Sequence, residues 1–379
     1  MLHASNSTRF RGPRMMVFLV IGLLFMAGSA FAQVQPAAGF VPPDNTPTIK
    51  IGLTLYPTYT YQKSPKVGPD PNGNMYSANN FDLSRSYINI TGNITHAITY
   101  RLTPDIMSSH VTGGTNLDGS LVFRIKYAFA QFSLDDYTGD WKQSWVRVGA
   151  NQTPFVDWEE GVYRYRFQGT VFSERVGKLT SSDYGASFHT NLPQNYGEIH
   201  VGVYNGEGYS KAETNNQKAL QARVTIRPLA KGSAIARGVR ITGFYDWDHV
   251  ATDAPRTRAL VMALFEHPHL SAGFEFLDAR DQASIMATRV RGNGYSFWAT
   301  PIFKQKGSGP ELLLRWDSFI PNRTNTDAKR NMFIAGASYW FPHDGNVSTS
   351  ILVDVEGVNY PGTSTPTERR VAMHGYLNF

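Results

Sequence analysis

The densest concentration of side chains able to do chemistry lies between Val156 and Ser181. It holds Asp157, Glu159, Glu160, Arg164, Arg166, Glu174, Arg175 and Lys178, interleaved with Trp158, Tyr163, Tyr165, Phe167 and Phe172. Carboxylates and guanidiniums mixed in this way can sort solutes by charge, while aromatics between them can fix the segment against a wall. They do not build a hydrolytic centre. His96, His110, His189, His200, His249, His267, His269, His343 and His374 are scattered, and none stands in a G-x-S-x-G or H-E-x-x-H context. Cysteine is absent, which removes thiol nucleophiles, Cys-ligated metals and disulfides. The expectation is a non-enzyme with no cofactor and no metal.

A segment of this length with no predicted structure of its own is characteristic of a functional loop, so the elements on either side must explain what it does. They read as strands. From Thr48 onward the chain divides into sixteen segments of period-two patterning, separated by turn residues. In Leu121 to Phe132, Leu121, Phe123, Ile125, Tyr127 and Phe129 alternate with Val122, Arg124, Lys126, Ala128 and Ala130. The final segment sets Val371, Met373, Gly375, Leu377 and Phe379 on one face, with Arg370, Ala372, His374, Tyr376 and Asn378 on the other. A last strand with an apolar row and a terminal aromatic suits the closing strand of a barrel in lipid, so Tyr376, Leu377 and Phe379 are read as the closing signal.

Composition agrees. Charged residues make up 17% of the chain, against about 25% in ordinary soluble domains, and aromatics make up 13%. No apolar run beyond residue 32 is long enough for a spanning helix, so closed strands are the remaining way to satisfy every backbone group in lipid. Arg9, Arg11 and Arg14, the apolar run Met15 to Met26 and Ala30-Phe31-Ala32 form a secretory signal over 1–32. A Pro-rich leader over 33–47 and a barrel over 48–379 follow. Removing three arginines and no acid lowers the formal charge from +6 to +3, too little to suggest nucleic acid as a partner.

The expected fold is therefore all-β: a transmembrane antiparallel β-barrel of about sixteen strands, with the long loop folded into its lumen. A barrel of that size leaves room for water. Alternation assigns Arg124, Lys126, Arg147, Arg223, Arg227, Arg240 and Arg315 to the lumen, and Arg164, Arg166, Arg175, Lys178, Glu159 and Glu160 to a constriction. Rows of arginine and lysine bias a pore toward anions. The alternative for the loop is an external contact between subunits. For the whole chain the alternatives are an outer-membrane barrel enzyme and a soluble β-sandwich binding protein.

V-R-V-G-A-N-Q-T-P-F at Val146 to Phe155, S-D-Y-G-A-S-F at Ser182 to Phe188, V-G-V-Y-N-G-E-G at Val201 to Gly208 and F-D-L-S-R-S-Y-I at Phe81 to Ile88 resemble the phosphate-selective porin O and P family. The resemblance extends weakly over most of the mature chain. It implies a sixteen-stranded, trimeric bacterial outer-membrane channel with an inward-folded third loop, inserted by the barrel-assembly machinery. Members specialised for phosphate carry an arginine ladder and a lysine cluster. Here the loop has one lysine, Lys178, beside three arginines and several acids. The expected function is passive diffusion of small hydrophilic solutes with an anion bias, and the alternative is a phosphate- or polyphosphate-selective channel.

Overall fold

The computed structural model describes residues 45–108, 120–343, 345 and 347–379. The expected signal and all but the last residues of the leader lie outside them. Sixteen strands run in chain order: β1 (Thr48–Val67), β2 (Tyr76–Asn93), β3 (Ile98–Ser108), β4 (Leu121–Ser133), β5 (Trp145–Gln152), β6 (Ser182–Leu192), β7 (Gly197–Tyr204), β8 (Ala219–Ile226), β9 (Val239–Ala251), β10 (Ala254–His267), β11 (Leu270–Asp281), β12 (Val290–Pro301), β13 (Gly309–Ile320), β14 (Arg330–Trp340), β15 (Ser348–Asn359) and β16 (Glu368–Asn378). Each pairs antiparallel with its sequence neighbours, and β1 pairs with β16, so the sheet closes on itself. Leu53 and Phe379 exchange both backbone hydrogen bonds at the seam, 2.8 and 3.1 Å.

The barrel is apolar outside and polar within. Along β8, Gln221, Arg223 and Thr225 are buried while Leu220, Val224 and Ile226 are exposed. Along β15, Asp354 and Glu356 are buried while Ile351, Val353 and Val355 are exposed. On β16, Val371, Met373 and Leu377 face out and His374 faces in. Period-two alternation in a closed sheet requires this separation.

Two expectations need correction. In β4, Thr103 pairs with Tyr127 but Pro104 pairs with Ile125, leaving Lys126 as an extra residue. That bulge reverses the alternation, so Tyr127 and Phe129 are buried inside rather than facing out, and Ala128 and Ala130 leave the inner face. Pro104, which has no N–H to give the ladder, marks the place. Second, β8 ends at Ile226, which puts Arg227 in the following turn, where its N–H donates to the Tyr196 carbonyl.

The inner wall is not uniform. From β9 to β15 it presents Phe244, Leu260, Met262, Leu264, Leu277, Trp298, Leu313, Met332, Ile334 and Leu352, all buried. From β16 through β1 to β5 it presents Thr54, Thr58, Thr103, Asp105, Lys126, Gln131, Arg147 and His374, with Tyr56, Tyr87, Tyr127 and Phe129 among them.

Candidate functional site

The 153–181 connection has structure of its own, which alternation could not reveal. Helix α1 (Val156–Tyr163) buries Val156, Glu159, Val162 and Tyr163, one stripe at helical spacing. Asp157 and Glu159 in its first turn suit the positive end of the helix dipole. Arg164 ends it in the left-handed region (φ 65°), donating its N–H to the Glu160 carbonyl at 2.9 Å. A single turn, α2 (Phe172–Arg175), follows.

The segment packs on inward-facing side chains of the apolar arc. Phe155 meets Phe244 (ring centroids 5.4 Å apart), Tyr163 meets Trp298 (5.4 Å) and Phe172 meets Phe319 (6.2 Å). Two glycines make this possible. A Cβ on Gly273 would lie 2.6 Å from the Trp298 ring, and one on Gly294 would lie 2.9 Å from the tip of Phe172. At the far end Phe167 stacks on Tyr376 of β16 (5.2 Å) and contacts Tyr56 of β1 (6.4 Å). The segment thus reaches from β5 to the seam.

Each basic residue expected at the constriction has a carboxylate partner. Arg164 pairs with Glu311 (3.1 Å), which also takes Lys304 (2.8 Å) and the Tyr165 hydroxyl (2.7 Å). Arg166 pairs with Glu160 (2.5 Å), Arg175 with Glu356 (3.1 Å) and Lys178 with Asp281 (2.8 Å). Glu159 is buried beside Arg315 and Glu275. Burial pushes its carboxyl up to about 8 against the pull of Arg315. Burial also raises Glu160, to about 7, although Arg166 and Lys126 oppose it.

On the strands, Arg315 clasps Asp317 through two bonds (2.9 and 2.8 Å) and donates to the Thr170 carbonyl (2.9 Å). Arg223 donates to the Pro154 carbonyl (2.5 Å) and pairs with Glu198 (3.2 Å). Arg240 pairs with Glu266. Arg124 donates to Asp105 (2.8 Å) and to the Tyr209 hydroxyl (2.8 Å). Arg147 donates to Gln131 and Gln152 (2.8 Å each) and lies over Trp145 (3.8 Å), while Lys126 lies 5.2 Å from the Tyr87 ring centre. Arg227 stands apart from this group, in its turn.

Between the loop tip and the seam lies a cavity of about 420 Å³. Thr58, Thr60, Ser84 and Ala372 line it on one side and Phe167 to Thr170 on the other. Small residues on β1, β2 and β16 leave this space where β9 to β15 fill theirs. Arg85, Arg166, Arg175, Arg330 and Arg370 face it against Asp82, Asp354 and Glu356, five cations to three anions. Arg85, Arg330 and Arg370 were missed as site residues, as were the acids Glu311, Asp281 and Asp105. All are charged residues within strands, and that position was the available signal.

No protein-family model matches the chain, and no curated protein matches its sequence. Solved structures do match its fold. An anion-selective porin from Comamonas acidovorans superposes with a TM-score of 0.60 at 10% identity, covering 88% of this chain and 100% of that one. OmpT of Vibrio cholerae gives 0.59 at 9% identity, covering 90% and 100%. The outer-membrane channel DcaP of Acinetobacter baumannii gives 0.58 at 11%, covering 90% and 100%. The chain has the bacterial porin fold.

Proposed function

We propose that the protein is a porin of the bacterial outer membrane, a non-enzymatic, water-filled channel for passive diffusion of small hydrophilic solutes with a modest preference for anions. The observation that carries the preference is the balance of five arginines to three carboxylates around the cavity beside the loop tip. A low-dielectric wall focuses that excess into the passage. Loop 153–181 acts as the constriction. Arg164, Arg166, Arg175 and Lys178, with Glu160, fix it by ion pairs, Glu159 anchors its buried face, and Arg166 and Arg175 also face water. The barrel works in outer-membrane lipid, inserted by the assembly machinery and paired in a homotrimer.

A phosphate- or polyphosphate-selective channel, the finer reading of the porin O and P resemblance, asks for loop cations free of carboxylates. Because every loop cation has such a partner, the general channel is favoured. The test is the zero-current potential in a planar bilayer under a KCl gradient. Chloride should outrun potassium, and Arg85→Gln, Arg330→Gln and Arg370→Gln together should remove the difference. A cation-selective wild-type channel rejects the anion preference, and phosphate block at submillimolar concentration restores the phosphate reading.

A further inference from the structure

The geometry points to a solute subsite in this cavity for zwitterions of the amino-acid type, with the carboxylate held at Arg370 and the ammonium held at Asp354. The inference deepens the channel reading and rests on it for the route by which solute arrives.

Asp354 and His374 are both more than nine-tenths buried and both line the cavity. Their side chains approach to 3.2 Å at Nε2 and Oδ2, in an orientation that makes no hydrogen bond. Neither Asp354 oxygen accepts a hydrogen bond from any other group of the protein, and neither His374 ring nitrogen makes one. A buried carboxylate left in this state favours a cationic donor arriving from the cavity. The neighbouring acid behaves differently: Glu356 already takes Arg175, Arg370 and Gln168. Asp354 is thus the acceptor with capacity to spare.

The anionic end has matching provision. Arg370 keeps about a third of its side chain exposed. Strand register sets the spacing. Asp354 pairs with Ala372 and Glu356 with Arg370, so Arg370 stands two residues along the strand from Asp354, about 6.6 Å. An α-amino acid, with its charges about 3 Å apart and a hydrogen bond at each end, spans about 8–9 Å, which the long arginine side chain accommodates. An anion alone satisfies only Arg370, and an amine alone only Asp354.

L-Alanine, potassium acetate and methylammonium chloride are each added to the protein conducting KCl in a planar bilayer. L-Alanine should reduce the current at about tenfold lower concentration than either single-charge probe, and Asp354→Asn should erase that advantage. Equal block by the three probes, or an unchanged alanine advantage in Asp354→Asn, overturns the subsite while leaving an anion-leaning channel intact. Titration calorimetry of the detergent-solubilised protein with L-alanine separates the two ideas further. Binding heat lost in a folded Asp354→Asn variant upholds the subsite even if the barrel conducts nothing, whereas no heat with wild-type protein overturns it.

Discussion

Two arcs of one sheet have opposite interiors. From β9 to β14 the inner wall is largely apolar core, where Leu260, Leu277, Trp298 and Leu313 are buried with Tyr163, Tyr165 and Phe172; this is the dry arc. From β16 to β2 the wall carries Thr58, Thr60, Ser84 and Ala372, too small to fill the space, and the cavity lies there. The 155–172 stretch packs on inward-facing side chains of one arc, and the cavity lies beside the other. The difference between the arcs also divides the charges into two kinds. In the dry arc Arg315 and Glu311 hold the loop, whereas Arg370 and Arg330, the latter at the first residue of β14, line the cavity.

The largest effect should come from opening the dry arc. Tyr163→Ala or Phe172→Ala removes a fully buried ring and should cost about 3–5 kcal/mol, read as a lower temperature for heat-modified gel mobility. Loosening the loop should raise single-channel conductance as well. Thr58→Ala and Ser84→Ala in the wet arc should cost well under about 1 kcal/mol. Equal losses in the two arcs would abolish the distinction.

Next comes Arg315→Met, which leaves Asp317 buried without its partner and should cost about 3–5 kcal/mol. Arg315→Met with Asp317→Leu should recover much of that loss by the same thermal assay. Arg330→Gln and Arg370→Gln should alter ion preference with little change in stability. A large thermal shift in either would place it among the structural charges.

The smallest effect concerns pH. Because burial raises the Glu159 carboxyl to about 8, the docked loop holds a proton that a released, hydrated loop gives up near the ordinary carboxylate range. Docking is therefore strongest at low pH and weakens as pH rises from that range through about 8. Current noise in wild-type channels should grow between about pH 5 and pH 8 and grow less in Glu159→Gln. Noise that grows on acidification would contradict the sign.

Alternation made the closed barrel legible, because one face of nearly every strand must meet a different medium from the other. It failed from Tyr127 onward, since a bulge depends on the partner strand's register and no local pattern records that. The dry arc left a readable trace: Ala259 to Phe265 is apolar on both faces, and so is Leu312-Leu313-Leu314. A strand of that kind facing only lipid and water would be wasteful, so something had to cover its inner side. The loop residues were identifiable by type, but their partners were not. Arg164 and Glu311 lie 147 positions apart, and only closure of the sheet brings them together.

The absence of cysteine gives a clean background for testing the division directly. Thr58→Cys, Ala372→Cys, Leu277→Cys and Leu313→Cys are made singly, and each is treated in a planar bilayer with a charged, membrane-impermeant methanethiosulfonate while current is recorded. If water follows the wet arc, the first two should react and lose current, and the last two should conduct unchanged. Rapid block at positions 277 and 313, with none at 58 and 372, would place the passage on the opposite wall and contradict the account.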